Sequence, residues 1–172
     1  MRIGSVTGMD ASTQDAAAEW RGELRWVVKA SFAAYVRSSE GRIEVSGGAR
    51  EDDGEYVFPR GVDGVQVDGE LPRGIAKFTG AVRFIAHGGM LDVTIASPEL
   101  VFQGDVQTLV AANGAGEPIV LATLDVGGPL ERDDVLEWIG VTPTLTSAGS
   151  AAFNNVYPAQ SDLDPLSFQL MR

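Results

Sequence analysis

The sequence contains no cysteine and only one histidine in 172 residues. The missing thiols exclude disulfides, thiolate metal sites, iron–sulfur clusters and C-x-x-C-H attachment of a prosthetic group. With His87 alone, two-histidine zinc or bis-histidine ligation within one subunit is also excluded. Basic residues are scarce: 13 Lys and Arg stand against 24 Asp and Glu, a formal net charge of -11. Neither nucleic acid nor an anionic membrane surface is an expected partner for such an acidic chain, since both need a basic face. No apolar run approaches a membrane span, so no membrane insertion is expected. Met1-Arg-Ile-Gly-Ser-Val-Thr7 lacks the apolar stretch of a signal peptide. The expectation is a cytoplasmic location for the chain as it stands, with the secreted or cell-surface alternative if a leader is missing. There is no G-x-S-x-G, P-loop or dinucleotide fingerprint, and no fixed-period repeat.

What remains is an ordinary globular composition, 44% hydrophobic and 22% charged. Its length suits one domain with a real core. Residues 1–21 read as an N-terminal arm, polar and small, and residues 22–172 as the single domain. The 21 glycines punctuate short alternating segments, the mark of antiparallel strands and turns. Gly74 to Phe102 is the clearest β region. Val82, Phe84 and Ala86 alternate with more polar neighbours; after Gly88-Gly89, Leu91, Val93 and Ile95 alternate again. The two runs pair as a hairpin with His87 at its tip. Pro98 is expected to break the second run, leaving 99–102 as a separate or bent strand. Arg42–Val45, Glu55–Phe58, Val106–Ala111, Pro118–Val126 and Leu166–Leu170 read as further strands. Residues 129–139 read as weakly helical, because Val135, Leu136 and Ile139 share a helical face. Thr146 is placed to cap a short helix ending near Phe153. The fold class is therefore all-β dominated, an antiparallel β-sandwich or barrel-like sheet with two or three short helices.

The organising stretch is Leu24-Arg-Trp-Val-Val-Lys-Ala-Ser-Phe-Ala-Ala-Tyr-Val36. Leu24, Trp26 and Val28 alternate as a strand does. From Lys29 the spacing becomes helical, with Ser31, Phe32 and Tyr35 on one face, and Gly41 ends the element. From the residues alone, Tyr35 reads as a core tyrosine whose hydroxyl finds one partner, and His87 as an ordinary surface or turn histidine.

Together, Trp26 to Val36, Ser46-Gly-Gly-Ala49, Gly80 to Pro98, and Leu145 to Phe153 with Leu163-Asp-Pro165 resemble, in order, the motifs of the HtaA (heme-transport-associated) domain family of actinobacteria. The resemblance runs from about Gly22 to Leu170. It implies a ferric heme-binding protein for heme capture or trafficking, with ferric heme b as the cofactor. Tyr35 is the implied axial ligand of the heme iron, and His87 its hydrogen-bonding partner. Ser31, Phe32, Phe84 and Gly88 are the further cofactor-binding candidates. Such a protein is more a carrier than an enzyme, and no catalytic residue is assigned. Hemoproteins or a heme transporter component are the partners this role implies, and a homodimer stays open. Two alternatives also stay open: an intracellular enzyme acting on heme or another flat hydrophobic molecule, and a protein-binding domain without heme. Heme carries two anionic propionates, so an acidic chain needs local cations; Lys29, Arg37, Lys77 and Arg83 are nearest the motifs. Ile85-Ala86 stand where the family more often has Thr-Gly, a departure beside His87.

Overall fold

A computed structural model describes residues 22–61, 65–68 and 71–171. The arm expected over residues 1–21 lies outside the described residues.

Two antiparallel sheets form the body. In chain order the strands are β1 (Leu24–Trp26), β2 (Arg42–Ser46), β3 (Arg50–Asp52), β4 (Glu55–Phe58), β5 (Gln66–Asp68), β6 (Leu71–Lys77) and β7 (Ala81–Ala86). They continue with β8 (Leu91–Phe102), β9 (Gln107–Ala112), β10 (Pro118–Leu124), β11 (Leu130–Arg132), β12 (Val135–Val141), β13 (Pro143–Leu145) and β14 (Leu166–Met171). The two α-helices are α1 (Ala30–Ser38) and α2 (Ser147–Ala152). One sheet runs β11-β12-β14-β1-β4-β3; the other runs β13-β10-β9-β8-β6-β5, with β7 joining β8 to β2. The sheets meet through alternating side chains. Phe102 of β8 meets Phe168 of β14 with ring centroids 5.8 Å apart, and Tyr56 of β4 meets Phe84 of β7 edge-on at 5.9 Å. The fold is thus β-dominated, as the alternation predicts.

β7 and β8 pair as expected, from Ala81 opposite Ala96 to Ala86 opposite Leu91, with His87-Gly88-Gly89 as the connecting turn. Pro98 does not end β8. The strand runs on to Phe102, and its buried positions change from odd to even at Ser97-Pro98. Ser97 adopts φ 48°, and this irregularity lets the strand exchange partners from β7 to β6. The proline needs no ladder donor there, while its carbonyl accepts from Phe78 N–H at 2.9 Å.

Residues 129–139 are not helical. β11 and β12 form a hairpin that turns at Asp133-Asp134, with Asp133 at φ 53°. β12 then pairs with β14, and Trp138 stacks on Phe168 at 4.8 Å and 12°. Burying Leu136 and Trp138 on one sheet face outweighs the helical spacing of Val135, Leu136 and Ile139, and Ile139 stays 63% exposed.

Thr146 does cap α2, accepting from Gly149 N–H at 3.0 Å. Gly149 is required by proximity rather than by its dihedrals: a Cβ there would stand 2.0 Å from the Leu121 carbonyl oxygen.

Candidate functional site

The junction between β1 and α1 is held from the far end of the chain. Val28 adopts φ 66°, a conformation that a β-branched residue takes only under constraint. The Asp164 N–H donates to the Val28 carbonyl at 3.0 Å, and the Asp164 carbonyl accepts from Trp26 Nε1–H at 2.7 Å. Lys29, the residue in the capping position, makes no side-chain cap. Asp164 Oδ2 supplies it instead, accepting from Ala30 N–H at 2.8 Å. At the other end, Glu40 rather than Gly41 takes the left-handed conformation, at φ 58°. Gly41 N–H closes the turn onto the Val36 carbonyl at 2.9 Å, and a Cβ on Gly41 would meet the Ile85 carbonyl oxygen at 2.3 Å. Both ends of α1 are therefore seated on other elements.

The seating decides which face is presented. Phe32, Ala33 and Val36 are buried. Phe32 packs edge-on against Phe84 at 5.1 Å and Phe153 at 5.4 Å. Ser31 and Tyr35, four residues apart, point outward; the sequence reading put Phe32 on their face, but it turns into the core. Tyr35 is 45% exposed. Its hydroxyl lies 2.6 Å from His87 Nε2, with the rings 5.7 Å apart and tilted by 57°. Their separation of 52 positions is spanned because α1 lies beside β7, which ends just before His87.

His87, Gly88 and Gly89 all take positive φ, at 53°, 65° and 95°. A Cβ on Gly88 or Gly89 would meet nothing within 4 Å, so this turn forms a low, open sill beside the Tyr35–His87 pair. Met90 follows it, 85% exposed, and Asn154 Nδ2 donates to its carbonyl at 3.2 Å. Val156, beyond Asn154, is also exposed. Tyr157 leans on Phe32 and Phe153 and brings its hydroxyl 3.5 Å from Ser31 Oγ. The surface around Tyr35 is thus bounded by Ser31 and Tyr157 on one side and His87 and Met90 on the other.

Of the sequence-derived candidates, Tyr35, His87, Ser31 and Gly88 reach this surface. Phe32 and Phe84 lie beneath it, at 1% and 0% exposure, and support the helix from below. Tyr56 is buried under the end of α1. Burial pushes its phenol above the ordinary value; Arg37 opposes that shift and Glu51 adds to it. Arg37 itself pairs with Glu51 at 3.4 Å. Lys29 is engaged at the start of α1, donating to the Asp162 carbonyl at 3.1 Å. Lys77 sits on β6, opposite Glu99 in the half of β8 remote from the His87 turn.

On the far side of His87 an open depression of about 650 Å³ is lined by Arg42, Arg83, Asp92, His87, Gly88 and Gly89, among others. Arg83 holds Asp92 through two hydrogen bonds, of 2.9 and 2.7 Å. This contact lowers the Asp92 carboxyl below its usual range and raises the Arg83 guanidinium. Sequence proximity pointed to Arg83 but not to Arg42, which reaches the depression because β2 pairs with β7. Asp164 lay within a recognised motif, but no local signal gives its capping role, since its partner is 134 residues away.

Chemically, the arrangement offers one exposed phenol with a histidine nitrogen against its oxygen. A phenolate is a hard donor suited to ferric iron. Among the described residues, no three His, Asp or Glu side chains gather as ligands for a metal ion. A lone phenolate therefore fits an iron already held by another ligand set, and open glycine backbone beside it leaves room for a flat molecule.

The chain belongs to the HtaA family: the family model, described as Htaa, matches residues 21–169. It is similar to the crystal structure of the C-terminal domain of HtaA from Corynebacterium glutamicum, at 28% identity and a TM-score of 0.73, covering 87% of this chain and 95% of that one. It is also similar to the N-terminal domain of HtaA from the same organism, at 26% identity and a TM-score of 0.73, covering 87% and 96%. Heme binding protein HtaB from Corynebacterium glutamicum, at 20% identity and a TM-score of 0.65 over 87% and 91%, shares the fold. No curated protein matches the chain. Among the described residues, no helix is long and apolar enough to cross a membrane.

Proposed function

We propose that this HtaA-family chain binds ferric heme b as cargo, for capture and hand-over, through the Tyr35 phenolate with His87 as the hydrogen-bonding partner of that oxygen. The observation that carries this reading is the 2.6 Å contact between Tyr35 Oη and His87 Nε2 on an exposed surface. Family membership supports a heme-associated role, as does the fold shared with a heme binding protein.

The phenol must lose its proton to coordinate iron, and a free phenol holds that proton up to a pKa of about 10. A neighbouring imidazole helps at both stages. Its free nitrogen can accept the hydroxyl proton, and a protonated ring nitrogen can then donate to the phenolate oxygen and stabilise its charge. A ferric iron bound there would supply positive charge that favours the phenolate; an external one-electron donor that reduced it to the ferrous state would weaken that pairing and favour release. Met90, after the His87 turn, and Val156, before Tyr157, are exposed apolar side chains, and the buried Phe32 and Phe84 pack beneath α1.

An absorbance titration of purified protein with ferric heme tests this. The expected result is a saturable high-spin tyrosinate-type spectrum, lost in Tyr35→Phe and altered in His87→Ala. A Tyr35→Phe variant that binds heme with an unchanged spectrum overturns the assignment of the ligand. No uptake by the parent overturns the heme reading altogether.

A further inference from the structure

We infer that the free edge of β2 is an interface between two copies of this chain, with β2 pairing with the same strand of the second copy, antiparallel and centred on Ile43. The inference goes beyond the heme reading and does not depend on it.

The edge is left open by its own sheet. β2 pairs with β7, and among the described residues no strand lies on its other side. Every second residue of such a strand turns its N–H and C=O away from the ladder, which makes the edge a template for another strand. β2 is five residues long, whereas the end strands β3, β5, β11 and β13 have three each. The side chains are uncovered as well. Ile43 is partly buried, but Arg42, Glu44, Val45 and Ser46 are exposed. Val45 stands opposite the fully buried Val82 and so faces the inside of the sandwich, yet it is 38% exposed. What it lacks is a neighbour beyond the β2 edge.

Charge selects the partner and the register. Each chain carries a net charge of -11, so two copies repel on average and associate only where local charges match. Arg42 and Glu44 share the outer face of β2, and Arg42 donates to Glu44 through Nε at 2.9 Å. That uses one of the five N–H groups of the guanidinium. Arg83, opposite Glu44 on β7, is held by Asp92 through two hydrogen bonds. A two-fold pairing that keeps like faces together is centred on a residue. Centring on Arg42 or on Glu44 sets two like charges directly opposite each other, which is repulsive. Centring on Val45 leaves Arg42 and Glu44 with no opposite charge across the axis. Centring on Ile43 sets Arg42 against the partner's Glu44, and Glu44 against the partner's Arg42. Four charges then alternate in sign around the axis. On the inner face Ile43 meets the partner's Ile43, and Val45 lies against the partner's Gly41.

This pairing would continue the sheet from one copy into the other through the two β2 strands. α1 leads directly into β2, and its Phe32 packs on Phe84, the residue opposite Ile43. The two helices that carry Tyr35 would therefore stand on the same face of the joined sheet.

A five-residue edge makes a small and weak contact. The test is sedimentation velocity on the full chain without heme, with protein concentration raised to about 1 mM to reach weak pairs. The parent is expected to pass from monomer to dimer over this range. Arg42→Glu and Glu44→Arg should each weaken pairing about tenfold or more, because each turns both cross-axis attractions into repulsions. An equimolar mixture of the two variants should pair again, to within about threefold of the parent, since each then meets the opposite charge. Together the two variants carry the same net charge as two parent chains, and damage to the fold cannot produce this rescue. The inference is overturned if the parent stays monomeric at the highest concentration, if the single variants pair as the parent does, or if their mixture pairs no better than each alone.

Discussion

Asp164 Oδ2 accepts a hydrogen bond from Ala30 N–H at 2.8 Å, so the helix that carries Tyr35 is capped by a residue from the other end of the chain. The same residue binds Val28 and Trp26 through its backbone. Asp164→Ala should therefore cost about 1–2 kcal/mol of stability, the usual loss of a helix N-cap. Asp164→Asn keeps an acceptor oxygen and should recover most of it. Urea denaturation of the three proteins checks the order; an alanine variant as stable as the parent would remove the capping role.

Phe32 should behave as a core residue despite lying three positions from the exposed Tyr35. It is 1% exposed and contacts Phe84, Phe153 and Tyr157. Phe32→Ala is expected to cost about 3–5 kcal/mol, read as a lower denaturation midpoint. Tyr35→Phe, on an exposed position, should change stability by less than about 1 kcal/mol. Equal losses in the two variants would contradict this division of α1 into a buried and a presented face.

Two glycines near the site should respond differently to alanine. At Gly41 the added Cβ would stand 2.3 Å from the Ile85 carbonyl oxygen and 2.7 Å from that of Val36. Backbone must move there, and a loss of about 1–3 kcal/mol is expected. At Gly88 the space is open and the cost is conformational, about 1–2 kcal/mol for its positive φ. Chemical shifts should spread into α1 and β7 for Gly41→Ala and stay within the turn for Gly88→Ala.

Tyr56 predicts the alkaline limb of the stability curve. Its folded-state pKa is raised, chiefly by burial, so the unfolded chain gives up this proton first. The contribution is fully present below the ordinary tyrosine pKa of about 10 and is lost as pH rises toward the folded value. Asp92 acts on the other side. Its folded pKa is lowered by Arg83, so its contribution is present above the ordinary carboxylate range and fades as pH falls through the folded value. Denaturation midpoints measured across pH should decline less steeply above pH 10 in Tyr56→Phe than in the parent. An unchanged alkaline slope would mean that the phenol titrates alike in both states.

The hairpins were legible because alternation and glycine turns are local signals. Leu24, Trp26 and Val28 are all fully buried, as their spacing predicts, and His87 stands at the β7–β8 tip. Residues 129–139 were misread because Val135, Leu136 and Ile139 satisfy a helical period as well. Leu136 and Trp138 also alternate, a signal that could have favoured the strand. What decided between the periods was β14, which offers Phe168 for Trp138 to stack on. Pro98 was read as a break because its missing donor is visible in sequence, whereas the change of partner strand that makes the donor unnecessary is not.

The sequence by itself determined the β-dominated class, the helix bearing Tyr35, the turn bearing His87 and the absence of thiol chemistry, since each follows from residue type and short-range spacing. Only the tertiary structure decided that Tyr35 Oη and His87 Nε2 come within 2.6 Å, that Phe32 and Phe84 support the helix from below, that Asp164 caps it and that Arg42 joins Arg83 in one depression. Those relationships join residues far apart in the chain, and no local period encodes them. They depend on which strands pair and on which face of α1 the core takes up.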